Sequence, residues 1–167
     1  MIGLDTNVVV RYITQDDSKQ SALATTFFER TLSAEQPGFI PAVVLCEIAW
    51  VLADCYGADR ARVREVIEGL LSSKQIKVEN AELAWKALRA LEVTQADFSD
   101  ALIGQIVAAH GGTKTVTFDK AVSKLAGFEL LGMESRVAEP GRLRYKGKAK
   151  TIEEMDAAVM SEARKHK

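Results

Sequence analysis

Residues 1–13 read MIGLDTNVVVRYI, and the fifth of them decides how the chain is read. Ile2 to Leu4 have the character of a short buried strand, yet the run stops at Asp5, Thr6 and Asn7 before Val8, Val9 and Val10 resume. The same grammar returns in TVTFDK, where Val116, Thr117 and Phe118 lead into Asp119. In open α/β sheets the ligand crevice lies at the carboxyl ends of parallel strands, so two aspartates at two such ends can converge on one site. Either aspartate alone could merely cap the helix that follows. Their repetition at equivalent places favours a shared site.

The surroundings of these two stretches support a parallel sheet. A helical run from Ser18 to Leu32 is followed by a break at Gln36-Pro37-Gly38 and a long helix from Pro41 to Tyr56, closed by Gly57. Asp59 to Leu71, Ala81 to Leu91 and Asp97 to His110 read as helices, with Gly111-Gly112 ending the last of them. Ile76 to Val78, Thr115 to Phe118 and Phe128 to Leu131 read as strands, and a short helix is expected at Ala121 to Leu125. Strands alternating with helices indicate an α/β fold in which helices cover both faces of a parallel sheet. The 167 residues suffice for one domain with a substantial core.

Apolar runs are broken within about ten residues by Asp5, Arg11 or Glu47, short of the roughly 20 needed to span a bilayer. No signal-like segment is read at the start, so the expectation is a cytoplasmic chain without a membrane partner. Cys46 and Cys55 lack metal-ligand or redox spacing and fit reduced, half-buried side chains. Charge is uneven. Residues 1–134 hold 13 Lys/Arg against 18 Asp/Glu, a net −5, whereas residues 135–167 hold 9 against 5, a net +4.

Two further carboxylates join the strand-end pair. Glu47 lies in PAVVLCEIAWVLA, a helix so apolar that its single charge is expected to be partly buried, which a glutamate tolerates only with a partner; the competing reading puts it on the helix's solvent face beside Cys46 and Ala49. In QADFSDALIGQIVAAHGG, Asp97 suits a cap at the helix start, while Asp100 can point into the crevice of Asp5 and Asp119. Carboxylates pressed together repel and raise one another's pKa unless a cation neutralises them. An all-oxygen set without cysteine or histidine selects a hard ion, Mg²⁺ or Mn²⁺. His110 and His166 stand alone and read as surface residues. A cation held this way can activate water and neutralise a phosphodiester, which is nuclease chemistry.

Four stretches, DTNVVVRYI, VVLCEIAWVL, ADFSDALIGQIVA and TVTFDKAVSKLAGFELL, together resemble a PIN domain, and their compact arrangement is similar to VapC-type toxins of bacterial toxin–antitoxin pairs. The resemblance covers about residues 1–132. It implies a three-layer α/β/α fold around a central parallel sheet, with an acidic quartet of Asp5, Glu47, Asp100 and Asp119 as catalytic and metal-holding residues. Asn7 and Thr117 would orient ligands or water, and Asp97 would assist. It further implies Mg²⁺- or Mn²⁺-dependent endonucleolytic cleavage of RNA, a homodimer and a cognate antitoxin. A non-catalytic binding module of PIN-like fold is the competing class, opposed by the presence of all four acids. A phosphatase of the haloacid-dehalogenase kind would look for an aspartate at the position of Asn7.

Residues 1–134 therefore form the expected PIN-like domain, followed by a basic extended arm at 135–150 and a short amphipathic helix at 151–167. Six of the sixteen arm residues, SRVAEPGRLRYKGKAK, are Arg or Lys. In the last segment Thr151 and Glu154 are spaced as a capping box, and Ile152, Met155 and Val159 share one stripe. This segment resembles the toxin-wrapping end of an AbrB-like antitoxin. Arg142 and Arg144 are the expected inhibitory contacts with the acidic pocket, because a guanidinium pairs with a carboxylate in bidentate fashion. Competing readings of the tail are an arm that grips RNA phosphates and a solvated tail.

Overall fold

A computed structural model describes residues 1–92, 94, 96–132, 150, 151, 154 and 157. Strands β1 (Ile2–Gly3), β2 (Gly38–Ile40) and β3 (Ile76–Val78) form a parallel sheet in that order, with Ile2 opposite Gly38 and Gly38 opposite Ile76. Strands β4 (Thr115–Thr117) and β5 (Phe128–Leu130) form a second parallel pair. Helices α1 (Thr6–Thr14), α2 (Ser18–Arg30), α3 (Ala42–Tyr56), α4 (Arg60–Ser72), α5 (Ala81–Ala90) and α6 (Phe98–Ala109) alternate with the strands, giving the α/β/α layering around a central parallel sheet.

Two elements, one helix and one strand, go unassigned in the sequence reading, and a third is shorter than expected. Val8, Val9 and Val10, which the sequence reading leaves unassigned after Asp5, lie in α1, where Val9 and Val10 are buried and Val8 is exposed. With half-buried Ile13 one turn further on, the buried pair forms a helical stripe, and that packing outweighs the β preference of three branched residues. The break at Pro37-Gly38 opens directly into the middle strand of the sheet. Gly38 sits close against its neighbours: a Cβ would stand 2.7 Å from Leu4 Cδ1 and 3.0 Å from Leu32 Cδ1, so a larger residue would require these leucine side chains to shift. The helix expected at 121–125 is a single 3₁₀ turn, Val122–Lys124.

The principal core runs from Leu4, Val9 and Ile40 through Leu45, Ile48 and Ile67 to Leu88 and Leu102. Val122, Leu125 and Ala96 form a smaller cluster against which Phe128 of β5 packs. Phe128 also lies over α6, where a Cβ on Gly104 would come within 2.6 Å of its ring. Glycine at that position lets the β4–β5 pair close onto α6, which brings the end of β4 toward the start of that helix. Among the described residues no helix is long and apolar enough to cross a membrane. Neither cysteine forms a disulfide, and both are half-buried.

Candidate metal centre

The chain passes from buried Leu4 to exposed Asp5 within one residue, because β1 ends there and α1 begins. Asp5 occupies the N-cap position with extended backbone angles, yet its side chain makes no capping bond. The capping explanation for this carboxylate therefore fails. Thr6 beside it is 4% exposed and spends its hydroxyl on a distant partner, donating to Glu47 Oε2 at 2.5 Å. One short hydrogen bond thus ties the start of α1 to the middle of α3.

Glu47 is exposed, which corrects the expectation of partial burial. The apolar character of α3 does not surround it: Leu45, Ile48, Ala49 and Leu52 face the core, while Val43, 72% exposed, and Glu47 share the outward stripe one turn apart. The partner that burial would have required is nevertheless present in Thr6. Cys46, the preceding residue, is half-buried and lies within hydrogen-bond reach of Ser99 on α6, with burial pushing its thiol pKa up. It is a neutral contact between α3 and α6, bringing Glu47's turn against the start of the helix that carries Asp100.

Asp97 caps α6, its Oδ1 accepting from the Asp100 amide at 2.8 Å, as its position in the sequence suggests. Asp100 is half-buried, and its pKa is raised to about 6, first by burial, then by the charge and side-chain hydrogen bond of Asp97, and further by the charge of Asp119. Asp119 is exposed at the end of β4, and its Oδ1 accepts from the amides of Ala121 at 2.6 Å and Val122 at 3.2 Å. Its carboxylate therefore does cap the 3₁₀ turn, unlike that of Asp5. Thr117 acts on the backbone: its hydroxyl oxygen accepts the Asp119 amide at 3.0 Å and fixes the turn on which the carboxylate stands. Asn7 is exposed in the first turn of α1 and lines a groove of about 390 Å³ between α1 and α2, with Arg11 and Leu23.

The acids are thus linked in neighbouring sets, Asp5–Thr6 with Glu47 and Asp97 with Asp100 and Asp119, and α3 meets α6 at Cys46 and Ser99. Among the described residues no three Asp, Glu, His or Cys side chains stand close enough to hold one ion together. The donor chemistry still fits a hard divalent cation. The carboxylates are all oxygen donors, and the pKa of Asp100 is raised first by burial and then by the neighbouring charges of Asp97 and Asp119, a cost that a cation would relieve. His110 takes no part; its ring nitrogen lies 2.9 Å from the Ile106 carbonyl, and it is exposed. Thr6, whose bond joins α1 to α3, and Cys46 and Ser99, where α3 meets α6, are not singled out by the sequence reading. For Thr6 the signal was available in its place between two polar candidates.

Of the tail, Thr151 and Glu154 form the expected reciprocal capping box: the Thr151 amide donates to Glu154 Oε2 at 3.0 Å and the Glu154 amide to Thr151 Oγ1 at 3.1 Å. Arg142, Arg144, Ile152, Met155, Val159 and His166 lie outside the described residues.

Comparison with known proteins agrees with this architecture. The chain is similar to a VapC ribonuclease of Aquifex aeolicus (strain VF5), 26% identical over 122 residues that cover 73% of this chain and 90% of that protein. The PIN domain profile matches residues 2–128, a span that includes both strand-end aspartates, Glu47 and Asp100, and the chain belongs to the PIN domain family.

Proposed function

We propose that this protein is a Mg²⁺- or Mn²⁺-dependent endoribonuclease, the toxin of a toxin–antitoxin pair, with Asp5, Glu47, Asp100 and Asp119 as its cation-holding and catalytic residues. The observation that carries this reading is the crowding at Asp100, where burial and the charges of Asp97 and Asp119 hold a carboxyl at about 6. Such an arrangement costs free energy unless a cation compensates it. The similarity to a VapC ribonuclease supports RNA as the substrate class, and the antitoxin partner follows from the resemblance of the sequence motifs to toxins of toxin–antitoxin pairs. When bound, a divalent ion supplies an activated water and charge neutralisation at the phosphodiester.

The chain's own residues divide the remaining work. Thr6 holds Glu47 through the 2.5 Å hydrogen bond, so the exposed glutamate keeps one orientation. Thr117 and the turn amides of Ala121 and Val122 hold Asp119 from both sides. Asp97 fixes the first turn of α6 and, after burial, its charge adds to the rise in the Asp100 pKa, a cost that a cation would relieve. Asn7 stands next to this set and contributes a polar contact to substrate or water. The protein acts in the cytoplasm as a homodimer, a reading supported by exposed apolar side chains such as Val43 and Ile103, 72% and 46% exposed.

The basic tail is an inhibitory strap in this account, with Arg142 or Arg144 reaching the acids of its own or a neighbouring subunit. Opposite net charges of body and tail support it. The function itself is tested by incubating the purified full chain, and a version ending at Gly132, with RNA in Mn²⁺ or in excess EDTA. Cleavage confined to the Mn²⁺ arm is expected. Equal cleavage in EDTA, or none by either form with Mn²⁺, contradicts the proposal.

A further inference from the structure

Beside the acids lies a pocket of about 200 Å³ whose walls include Trp50, Asp54, Arg60, Val63, Leu91 and Asp97. We propose that it receives one nucleobase of the strand being cut, stacked on Trp50, with the adjoining phosphate drawn to Arg60. The inference rests on the reading of RNA as substrate and deepens it, because it names where a nucleotide next to the cleaved bond is held.

Position is the first argument. Trp50 follows Glu47 by three residues on α3, which places the two on neighbouring turns of the same face. Asp97 forms another part of the wall and also holds the amide of Asp100. The pocket therefore shares Asp97 with the candidate centre. A phosphodiester at the carboxylates brings its attached nucleoside to this opening.

The second argument is the chemistry of the walls. The ring contacts among the described residues join Tyr12 to Phe28 and Phe27 to Phe28, so neither uses Trp50, whose half-buried indole is left to line the pocket. An indole face accepts any base, since every base has a π-face.

Arg60 supplies the charge. Its guanidinium donates to the carbonyls of Ala96 at 2.7 Å, Thr94 at 2.8 Å and Leu91 at 3.2 Å. Carbonyls fix a guanidinium without cancelling its charge, and among the described residues no carboxylate forms an ion pair with Arg60. Arg60 is also the first residue of α4, an end where the helix dipole disfavours a cation. Helix stability does not account for an arginine there. A fixed positive charge in a body of net −5 is complementary to a phosphate, and the same three bonds brace the loop that leads into Asp97.

The test uses the two tryptophans as reporters. Trp85→Phe leaves Trp50 as the sole indole of the full chain. This variant is titrated with adenosine 5′-monophosphate, which has no phosphodiester to cut, and with ribose 5-phosphate as the control without a base. Saturable quenching of Trp50 by the nucleotide and none by the sugar phosphate is expected. Calorimetry with Trp50→Ala should show affinity for the nucleotide reduced about tenfold, equivalent to ~1.4 kcal/mol, within what stacking one base contributes. Trp50→Phe should stay within about threefold of the parent, and Arg60→Gln should weaken nucleotide and sugar phosphate alike. Equal responses to the two probes, or unchanged nucleotide affinity in Trp50→Ala, overturn the inference; the latter is the result if the pocket instead takes a side chain of a protein partner. Metal-dependent RNA cleavage without base-dependent binding removes the pocket alone, whereas base-dependent binding without cleavage removes the nuclease reading alone.

Discussion

Thr6, buried at the first turn of α1, donates its hydroxyl to Glu47 on α3 at 2.5 Å, across 41 positions of sequence. The bond explains how an exposed glutamate on an apolar helix can be held for a task. Thr6→Val keeps the shape and deletes the donor, so the glutamate should lose its orientation while the core stays filled. Mn²⁺ affinity should fall by about ten- to a hundredfold, the usual effect of removing a group that orients a ligand. Calorimetric Mn²⁺ titration of the variant checks this, and an unchanged affinity would remove Thr6 from the centre.

Asp100 gives a pH dependence whose sign is fixed by its raised pKa of about 6 against an unfolded value near 3.8. The native chain binds this proton more tightly than the unfolded chain does. Below about pH 4 both states are protonated and the group costs nothing; from about pH 4 to 6 its contribution lowers stability as pH rises, and above 6 the cost is complete. In EDTA, Asp100→Asn should therefore raise the melting temperature at pH 7.5 by on the order of a few degrees. The gain should shrink as pH is lowered toward 4. A destabilised Asp100→Asn at pH 7.5 would show that the carboxylate is compensated by the protein itself.

The opposite sign is expected at the far end of α1. Asp16 accepts from Arg11, Tyr56 and Thr14, and these bonds, the Arg11 one foremost, hold its carboxyl well below the usual carboxylate range. Its contribution is present above the unfolded pKa and is lost as pH falls toward the depressed native value. Because the group is exposed, Asp16→Asn should cost under about 1 kcal/mol at pH 7. Urea denaturation at pH 7 and pH 3 measures the difference, which should narrow at the lower pH.

Removing residues 133–167 distinguishes a strap from a grip. If the basic arm inhibits, the shortened chain should cut RNA faster at limiting Mn²⁺, and the advantage should shrink as Mn²⁺ is raised. Slower cutting with weaker RNA binding would assign the arm to the substrate and reject inhibition.

Much of this arrangement was legible in the sequence where a single periodicity governed. α3, α4 and α6 follow their apolar stripes and caps, and Asp59 and Asp97 sit at the N-caps where their side-chain chemistry places them. The reading failed where long-range packing overrode local preference. Val8 to Val10, unassigned from local pattern, lie in α1 with Val9 and Val10 in the core, and the break at Pro37-Gly38 opens the strand that pairs with both of its neighbours in the sheet. For the site, strand ends located Asp5 and Asp119, but the local composition of α3 could not reveal that Glu47 faces outward. Nor could it show the contacts of Thr6 with Glu47 and Cys46 with Ser99, which depend on how the helices meet.

The central claim is that four dispersed acids serve one cation. Mn²⁺ binding to the full chain, followed by electron paramagnetic resonance for the parent and for Asp5→Asn, Glu47→Gln, Asp100→Asn and Asp119→Asn, tests it most directly. Each substitution should weaken binding of the same ion by about tenfold or more, with RNA cleavage falling by about a hundredfold or more in parallel. Mn²⁺ bound with parental affinity in all four variants would contradict the account.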